Sequence, residues 1–238
     1  MKLLHKTAVV TGASQGLGKA IAKRFALEGA AVCLCARNIE LLRGTNLEIM
    51  ASGGKSIFEQ TDVTDEEQVR EFLSSCASSF GEIHILVNGA SVSGKPVPLS
   101  EYSLPEWERV VAVNLTGTFL VTKHAVPLFG KRGGSIINLS SPVGRAGASS
   151  AGAHEVSKFG VEGLTQELAE ELRPLNIRVN VVHPGALTTW MRPQAYTKER
   201  QPSPKKTEDF TDIFLYLASD ESTHVTGKTF DAQNWQQK

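Results

Sequence analysis

Residues 11–18 read Thr11-Gly12-Ala13-Ser14-Gln15-Gly16-Leu17-Gly18, and this stretch decides the fold. It follows an apolar run that predicts a strand over 6–12, and a predicted helix over 16–28 begins within it. Glycines at such a turn let an anionic pyrophosphate approach the free N–H groups of the helix N-terminus. The alternative is that the glycines serve only a tight turn. Because the G-x-x-x-G-x-G spacing lies at the first strand–helix turn of the chain, it favours a dinucleotide-binding site.

Strand and helix patterns alternate from this turn to the end of the chain. Nearly continuous apolar runs, such as 83–87 and 177–182, are typical of strands covered on both faces of a parallel sheet. The predicted strands are 6–12, 30–36, 55–60, 83–88, 134–140, 176–183 and 228–231. The predicted helices are 16–28, 39–51, 65–80, 105–129, 150–173 and 205–219. The sequence therefore predicts one Rossmann-type α/β domain over 1–238, a doubly wound parallel sheet of about seven strands with helices on both faces.

Composition narrows the class of protein. The 238 residues suit one large domain, and 25 basic residues balance 25 acidic ones, which argues against a nucleic-acid or anionic membrane partner. The chain has no run approaching ~18 apolar residues and no signal-peptide pattern at its start. Its three cysteines are Cys33, Cys35 and Cys76, the first two on one face of a predicted strand. A C-x-C metal site lacks a second Cys/His cluster, so we expect no metal, reduced thiols and a cytoplasmic protein.

A second informative stretch reads Gly152-Ala153-His154-Glu155-Val156-Ser157-Lys158. Ser141 precedes His154 by thirteen residues, and Asn114 lies in the predicted helix 105–129. Together with the glycine turn, these positions resemble the short-chain dehydrogenase/reductase family, whose signature is Tyr-x-x-x-Lys. The resemblance runs over nearly the whole chain, but His154 takes the place of the family's catalytic tyrosine.

The resemblance implies a set of cofactor-binding residues. They are Gly12, Ser14, Gln15, Gly16, Leu17 and Gly18 in the glycine turn, Asp62 and Val63 near the adenine, Asn88, Gly89 and Ala90 after the fourth strand, Lys158 on the ribose, and Pro184, Gly185 and Thr189 near the carboxamide. Asn88-Gly89-Ala90-Ser91 departs from the family's Asn-Asn-Ala-Gly motif, since only the first Asn and the Ala are retained.

The end of the second strand bears on which cofactor binds. An acidic residue there accepts hydrogen bonds from the ribose hydroxyls of NAD. This chain has Ala36 and then Arg37, a side chain that can pair with a 2′-phosphate. We therefore favour NADP(H) over NAD(H). Arg37 as a solvated surface charge is the alternative, and Gln15 stands where many NADP-using relatives have a second basic residue.

The resemblance also implies four catalytic positions. His154 takes the place of the tyrosine that exchanges a proton with the substrate oxygen, and Lys158 lowers the pKa of that group. Ser141 steadies the substrate oxygen, and Asn114 holds a water that relays protons to the lysine. An asparagine inside a long helix has little intrinsic reason to be there, which strengthens its assignment to the site.

Two physical objections apply to His154 as the proton donor. Imidazole is shorter than phenol by roughly a bond length or two, whereas general acid catalysis needs heavy atoms within about 3 Å or one bridging water. A lysine one helical turn away also disfavours the protonated imidazole. Because a misplaced or absent donor costs about 10²–10⁴ in rate, we expect weakened or altered chemistry.

The substrate side is less informative. Residues 186–206 are predicted to form a substrate loop or lid, in which Trp190 and Met191 line an apolar pocket or pack on the core. In the family, the two long central helices, here 105–129 and 150–173, pair into dimers and tetramers, so we expect a homo-oligomer.

Two functional hypotheses follow. The first is an NADP(H)-binding oxidoreductase of the ketone/alcohol type with an atypical proton donor, acting on a small carbonyl compound or alcohol. The second is a non-catalytic NADP(H)-binding sensor or partner subunit. A lyase or epimerase on the same fold is a third, weaker alternative.

Overall fold

A computed structural model describes residues 1–141, 152–185 and 206–236. Its centre is a seven-stranded sheet in which every neighbouring pair of strands is parallel. The strands are β1 (Thr7–Thr11), β2 (Ala31–Ala36), β3 (Lys55–Gln60), β4 (Ile85–Asn88), β5 (Gly134–Leu139), β6 (Ile177–His183) and β7 (Thr229–Asp231). Their order across the sheet is β3-β2-β1-β4-β5-β6-β7. The predicted single-domain Rossmann-type fold is confirmed.

Seven α-helices cover the two faces of the sheet in the described residues. They are α1 (Gly16–Leu27), α2 (Ile39–Ala51), α3 (Glu66–Phe80), α4 (Leu104–Val111), α5 (Gly117–Ala125), α6 (Gly152–Glu171) and α7 (Thr211–Ala218). One buried cluster joins the sheet to α1, α2 and α7, and another joins it to α3, α5 and α6. Strands β1 to β6 contribute to both clusters because successive side chains point to opposite faces.

Strand β2 shows this alternation directly. Val32 and Leu34 belong to the first cluster, whereas Cys33 and Cys35 belong to the second, where Cys76 of α3 joins them. All three cysteines are buried and free. The expectation that Cys33 and Cys35 share one face of a buried strand is confirmed.

The predicted helix over 105–129 is helical without a gap from Leu104 to Leu128, but it is not a regular α-helix throughout, and this is the main correction. The turn Ala112–Thr116 is π-helical, so it separates α4 from α5. A π turn accommodates one extra residue, and such turns are frequent at functional sites. Beyond Ala125 the chain tightens into a 3₁₀ turn, Val126–Leu128, because Pro127 has no backbone N–H to continue the α-helix.

Candidate functional site

The candidate site lies where the connections of the sheet change direction, between β1 and β4. In open parallel sheets, a crevice forms at such a switch point outside the carboxyl ends of the strands. Thr11 ends β1, and its Oγ1 accepts hydrogen bonds from the N–H groups of Gly89 (3.0 Å) and Ala90 (3.1 Å). The glycine turn and the loop after β4 are therefore fastened to each other across the crevice.

Two glycines of the glycine turn lie where any side chain would collide with the neighbouring backbone. Gly12 has φ +68°, and a Cβ on it would lie 2.8 Å from the Gly89 carbonyl oxygen. A Cβ on Gly18 would overlap the Gly12 carbonyl oxygen. The N-cap residue of α1, Gln15, makes no side-chain capping bond, and the first turn of the helix carries no acidic residue. Free N–H groups and a bare helix N-terminus fit a pyrophosphate.

The second and third strands end in the residues predicted to meet the adenosine half. Ala36 is buried and Arg37 is exposed, with its carbonyl oxygen held by the Gln60 side chain at 2.9 Å. After β3, Asp62 Oδ1 accepts hydrogen bonds from both the N–H and the hydroxyl of Thr64. Val63 is buried beneath them. These residues share the carboxyl edge of the sheet with the glycine turn.

A chain of buried polar side chains crosses the sheet below the crevice. Asn88 Nδ2 donates to Thr122 Oγ1 (3.0 Å) and to Asn138 Oδ1 (2.8 Å), and Asn138 Nδ2 donates to Thr165 Oγ1 (2.8 Å). The chain ties β4 and β5 to the helices α5 and α6. The Asn88 Nδ2 group therefore joins β4 to β5 and to α5.

Asn114 lies in the π turn with its side chain fully buried. Its Oδ1 accepts from the N–H of Val92 (2.8 Å) and from Ser91 Oγ (3.1 Å). Its Nδ2 donates to the Val92 carbonyl (2.9 Å) and to Ser157 Oγ (3.0 Å). The amide thus fastens the loop after β4 to α6, and the water relay predicted for it stays a prediction.

His154 lies on the first turn of α6, against the same loop. Its Nδ1 is 3.1 Å from the Val92 carbonyl oxygen and 3.5 Å from Asn114 Nδ2. Since a carbonyl only accepts, the shorter contact places the hydrogen of the neutral ring on Nδ1. Burial, followed by the field of Lys158, lowers the pKa of His154 to about 4. The imidazole is therefore neutral at pH 7.

Lys158 lies one turn further along α6 and is only 4% exposed. Its Nζ donates to the carbonyl of Leu139, the last residue of β5, at 2.8 Å. Burial lowers the pKa of Lys158 to about 8. The ammonium group is therefore the larger fraction at pH 7, held at the carboxyl edge of the sheet.

Some of the remaining predicted site residues are among the described residues, and others are not. Ser141 lies two residues after the end of β5 and is half-buried, and Pro184 and Gly185 follow β6. Thr189 lies outside the described residues, as does nearly all of the predicted lid, 186–206. The structure therefore brings the ends of β1, β4, β5 and β6 to one edge, with His154 and Lys158 above them.

Comparison of the chain with known proteins points to one family. The family model for short chain dehydrogenases matches residues 6–200. The chain belongs to the short-chain dehydrogenase family. It is 37% identical to the 3-oxoacyl-[acyl-carrier-protein] reductase FabG of Thermotoga maritima over 96% of each chain. It is 34% identical to the trans-4-hydroxycyclohexanecarboxylate dehydrogenase of Sinomonas cyclohexanicum, over 95% of this chain and 90% of that one.

A solved structure of similar shape extends this comparison. A short chain dehydrogenase from Shigella flexneri 2a, complexed with NADP, aligns with a TM-score of 0.91 and 33% identity. The alignment covers 98% of this chain and 99% of that one. Family membership therefore rests on nearly the full length of the chain, and the relatives named are oxidoreductases.

Sequence reasoning missed a part-buried hydrogen-bond network around Glu162 of α6. Glu162 Oε1 lies 2.6 Å from His183 Nε2, and Thr229 Oγ1 donates to Glu162 Oε2 at 2.9 Å. Burial favours the neutral acid, but hydrogen bonds from His183, Thr229 and Ser140 outweigh it and hold the pKa of Glu162 below its usual value. The carboxylate ties the ends of β5, β6 and β7 to α6. The only local signal is its position four residues after Lys158, on the same helix face.

Tyr102 is a second residue that the sequence did not single out. Its ring packs on Gly152, where a Cβ would lie 2.5 Å from Tyr102 Cε2. Its hydroxyl accepts a hydrogen bond from the N–H of Lys95 at 3.1 Å. The ring forms a wall beside the first turn of α6, two residues before His154.

The described residues contain neither a metal-ligand cluster nor a membrane-spanning helix. No group of three or more His, Cys, Asp and Glu side chains there could hold a metal ion. No helix in that part of the chain is long and apolar enough to cross a membrane.

Proposed function

We propose that this chain is an NADP(H)-dependent oxidoreductase of the ketone/alcohol type in which His154 occupies the position of the family's catalytic tyrosine. The observation that carries the proposal is the placement of His154 beside Asn114 and one turn from the buried Lys158. The nicotinamide supplies hydride chemistry when bound. The protein supplies binding, orientation and proton handling.

Each residue of the site has a proposed role. The glycine turn and the N-terminus of α1 hold the pyrophosphate, and Lys158 holds the nicotinamide ribose. Ser141 donates a hydrogen bond to the substrate oxygen. His154 exchanges the proton, directly or through a water.

His154 makes this chemistry atypical. The neutral imidazole uses its one N–H on Val92, so it has no second hydrogen to give a substrate carbonyl. Losing a positioned acid typically costs about 10²–10⁴ in rate. We therefore propose that ketone reduction is slow relative to a tyrosine-bearing relative.

The preference for NADP(H) rests on the end of β2. Ala36 removes the carboxylate that would repel a 2′-phosphate, and the exposed Arg37 is free to reach one. The Shigella relative complexed with NADP is in keeping with this preference.

One experiment separates binding from turnover. Fluorescence titration gives the dissociation constants for NADPH and NADH, and single-turnover mixing then follows NADPH oxidation by ketones, aldehydes and quinones at enzyme excess. We expect tighter binding of NADPH and slow but measurable oxidation with at least one carbonyl class. Tight binding of NADPH without oxidation by any class would contradict an oxidoreductase.

That contrary result would favour the second candidate, a non-catalytic NADP(H)-binding sensor or partner subunit. The buried, neutral imidazole is the observation in its favour. Against it stand Ser141 and Asn114, which cofactor binding alone does not require. A lyase or epimerase is a weaker third candidate, and a cofactor retained through purification would favour it or the sensor.

Assembly and location are also proposals. Phe119 of α5 and Val156 and Phe159 of α6 are exposed at 45%, 41% and 45%, an apolar surface suited to pairing of these helices in a homo-dimer or tetramer. Residues 186–206 are proposed to cover the substrate. Three free, buried cysteines fit a reducing compartment, in keeping with a cytoplasmic location.

A further inference from the structure

The carboxylate of Glu162, on α6, meets side chains from the loop after β5, from β6 and from β7. Its Oε1 lies 2.6 Å from His183 Nε2, and its Oε2 accepts from Thr229 Oγ1 at 2.9 Å. The Ser140 hydroxyl is shared between this carboxylate and the carbonyl oxygen of Lys158, 3.4 Å from the latter. Because an ionised carboxylate only accepts hydrogen bonds, all three partners act as donors towards it.

Two of these donors adjoin residues proposed for the site. Ser140 directly precedes Ser141, and His183 directly precedes the pair Pro184-Gly185. The backbone already joins the two strand ends, since the N–H of Ser140 donates to the Val182 carbonyl at 3.0 Å. The carboxylate adds a link that the sheet itself does not supply, from both strand ends to α6.

The surroundings of Glu162 make stability alone a poor reason for a carboxylate at this position. The side chains of Glu162 and His183 are only 14% and 8% exposed. Removing charged groups from water costs free energy that their mutual attraction offsets only in part, and well-packed apolar side chains are often at least as stable in such places. The carboxylate instead contributes direction, because three donors fix where it lies between α6 and the strands.

We propose that Glu162 is a positioning residue, whose carboxylate sets the distance from α6 to the loops after β5 and β6 so that Ser141 and Pro184-Gly185 face the nicotinamide half of the cofactor. This inference rests on the proposed function, because it takes an NADP(H) site as given. The adenosine half lies at the glycine turn after β1, and β4 separates β1 from β5. A change at Glu162 should therefore affect one half of the cofactor and spare the other.

The first test uses hydrogen exchange and needs no cofactor. Glu162→Gln places an amide nitrogen, which only donates, among the three donors. Exchange in peptides that contain residues 139–141 and 182–185 should rise about tenfold, with residues 7–13 unchanged. Glu167→Gln, the same change at an exposed position of α6, is the control and should leave all three regions as in the wild type.

Two exchange patterns overturn the proposal. One is unchanged exchange after strands β5 and β6 in Glu162→Gln, and the other is a rise that residues 7–13 share equally. If Glu162→Gln does not fold, Thr229→Val takes its place, since it removes one of the three donors to the same carboxylate. The same local rise is then expected at a smaller size, and its absence counts against the proposal.

The second test separates the two halves of the cofactor by titration. NADPH is compared with adenosine 2′,5′-bisphosphate, which lacks the nicotinamide half. Glu162→Gln should weaken NADPH about tenfold and the bisphosphate by less than about twofold, whereas Glu167→Gln should change neither. Equal weakening of both ligands, or of neither, overturns the proposal. If the wild type binds neither ligand, the NADP(H) proposal fails, and the exchange pattern alone decides whether Glu162 positions the two loops.

Discussion

Residues 11–18 and 152–158 lie at the same edge of one sheet, yet they depend on different physical properties. The glycine turn holds its shape through backbone geometry, since Gly12 and Gly18 leave no space for a Cβ. The first turn of α6 depends on the chemistry of two side chains, His154 and Lys158. The backbone conformation of the glycine turn tolerates no larger residue. The proton-exchanging side chain at position 154, in contrast, can be replaced without a change in the surrounding fold.

The largest effect is expected in the glycine turn. Gly12→Ala forces a left-handed φ on alanine and a Cβ against the Gly89 carbonyl, so we expect a loss of roughly 2–4 kcal/mol in the free energy of unfolding. NADPH affinity should fall by about 100-fold or more. Gly44→Ala is the control because nothing lies within 4 Å of its Cβ, and it should gain up to about 1 kcal/mol. Urea unfolding gives the free energy of unfolding of each variant, and fluorescence titration gives its NADPH affinity. Equal effects of the two substitutions would contradict the role given to the glycine turn.

A change in the first turn of α6 should alter the pH dependence of stability. The folded-state pKa of His154 is about 4, against the ordinary 6.5 of the unfolded chain. The unfolded state therefore binds more protons in this window, and stability falls as pH drops from about 6.5 towards 4. His154→Phe removes this contribution, so between those pH values the wild type should lose up to roughly 3 kcal/mol more than the variant. Parallel stability profiles for the two proteins would show that His154 is not buried as a neutral ring.

A smaller effect is expected at Asn114, where a substitution should change stability but not NADPH binding at the glycine turn. Asn114→Ala leaves the N–H of Val92 without its partner, which should cost roughly 2 kcal/mol in the free energy of unfolding. NADPH binding should change by less than about threefold, because the glycine turn is untouched. Ser91→Ala removes only the 3.1 Å contact to Asn114 and serves as the control. A large loss of NADPH affinity in Asn114→Ala would show that the two regions are coupled.

The smallest effect concerns the choice of cofactor. Arg37→Ser should weaken NADPH by about tenfold and leave NADH nearly unchanged, since only the 2′-phosphate contact is lost. Arg43→Ser, in α2, removes the same charge away from the end of β2. Equal affinity ratios for the two variants would mean that Arg37 is a solvated surface charge.

Sequence reasoning was strongest where one local pattern determines the structure. The glycine turn follows from its spacing, and the strands follow from apolar runs that both clusters then bury. It failed where contacts join distant positions. Asn114, in the π turn Ala112–Thr116, contacts Val92 and Ser157, which lie 22 and 43 residues away. The partners of Glu162 lie 21 and 67 residues away, so no local pattern marks them.

For His154, the sequence predicts some properties, whereas others depend on contacts with distant residues. Its position follows from the spacing to Ser141 and Lys158, and a neutral ring was expected from the lysine one turn away. Burial has the larger effect on its pKa, with Lys158 second, and the tautomer depends on Val92 in a different element. These properties could be obtained only from the packed structure.

The comparison of the two regions is tested most directly by His154→Tyr. NADPH affinity and NADPH consumption with ketones, aldehydes and quinones are measured side by side for this variant and the wild type. We expect equal affinity and about 10²–10⁴-fold faster ketone reduction by the variant, since the glycine turn is unchanged and a positioned acid is restored. Reduction by the variant that is no faster than by the wild type, at equal NADPH affinity, would contradict the account.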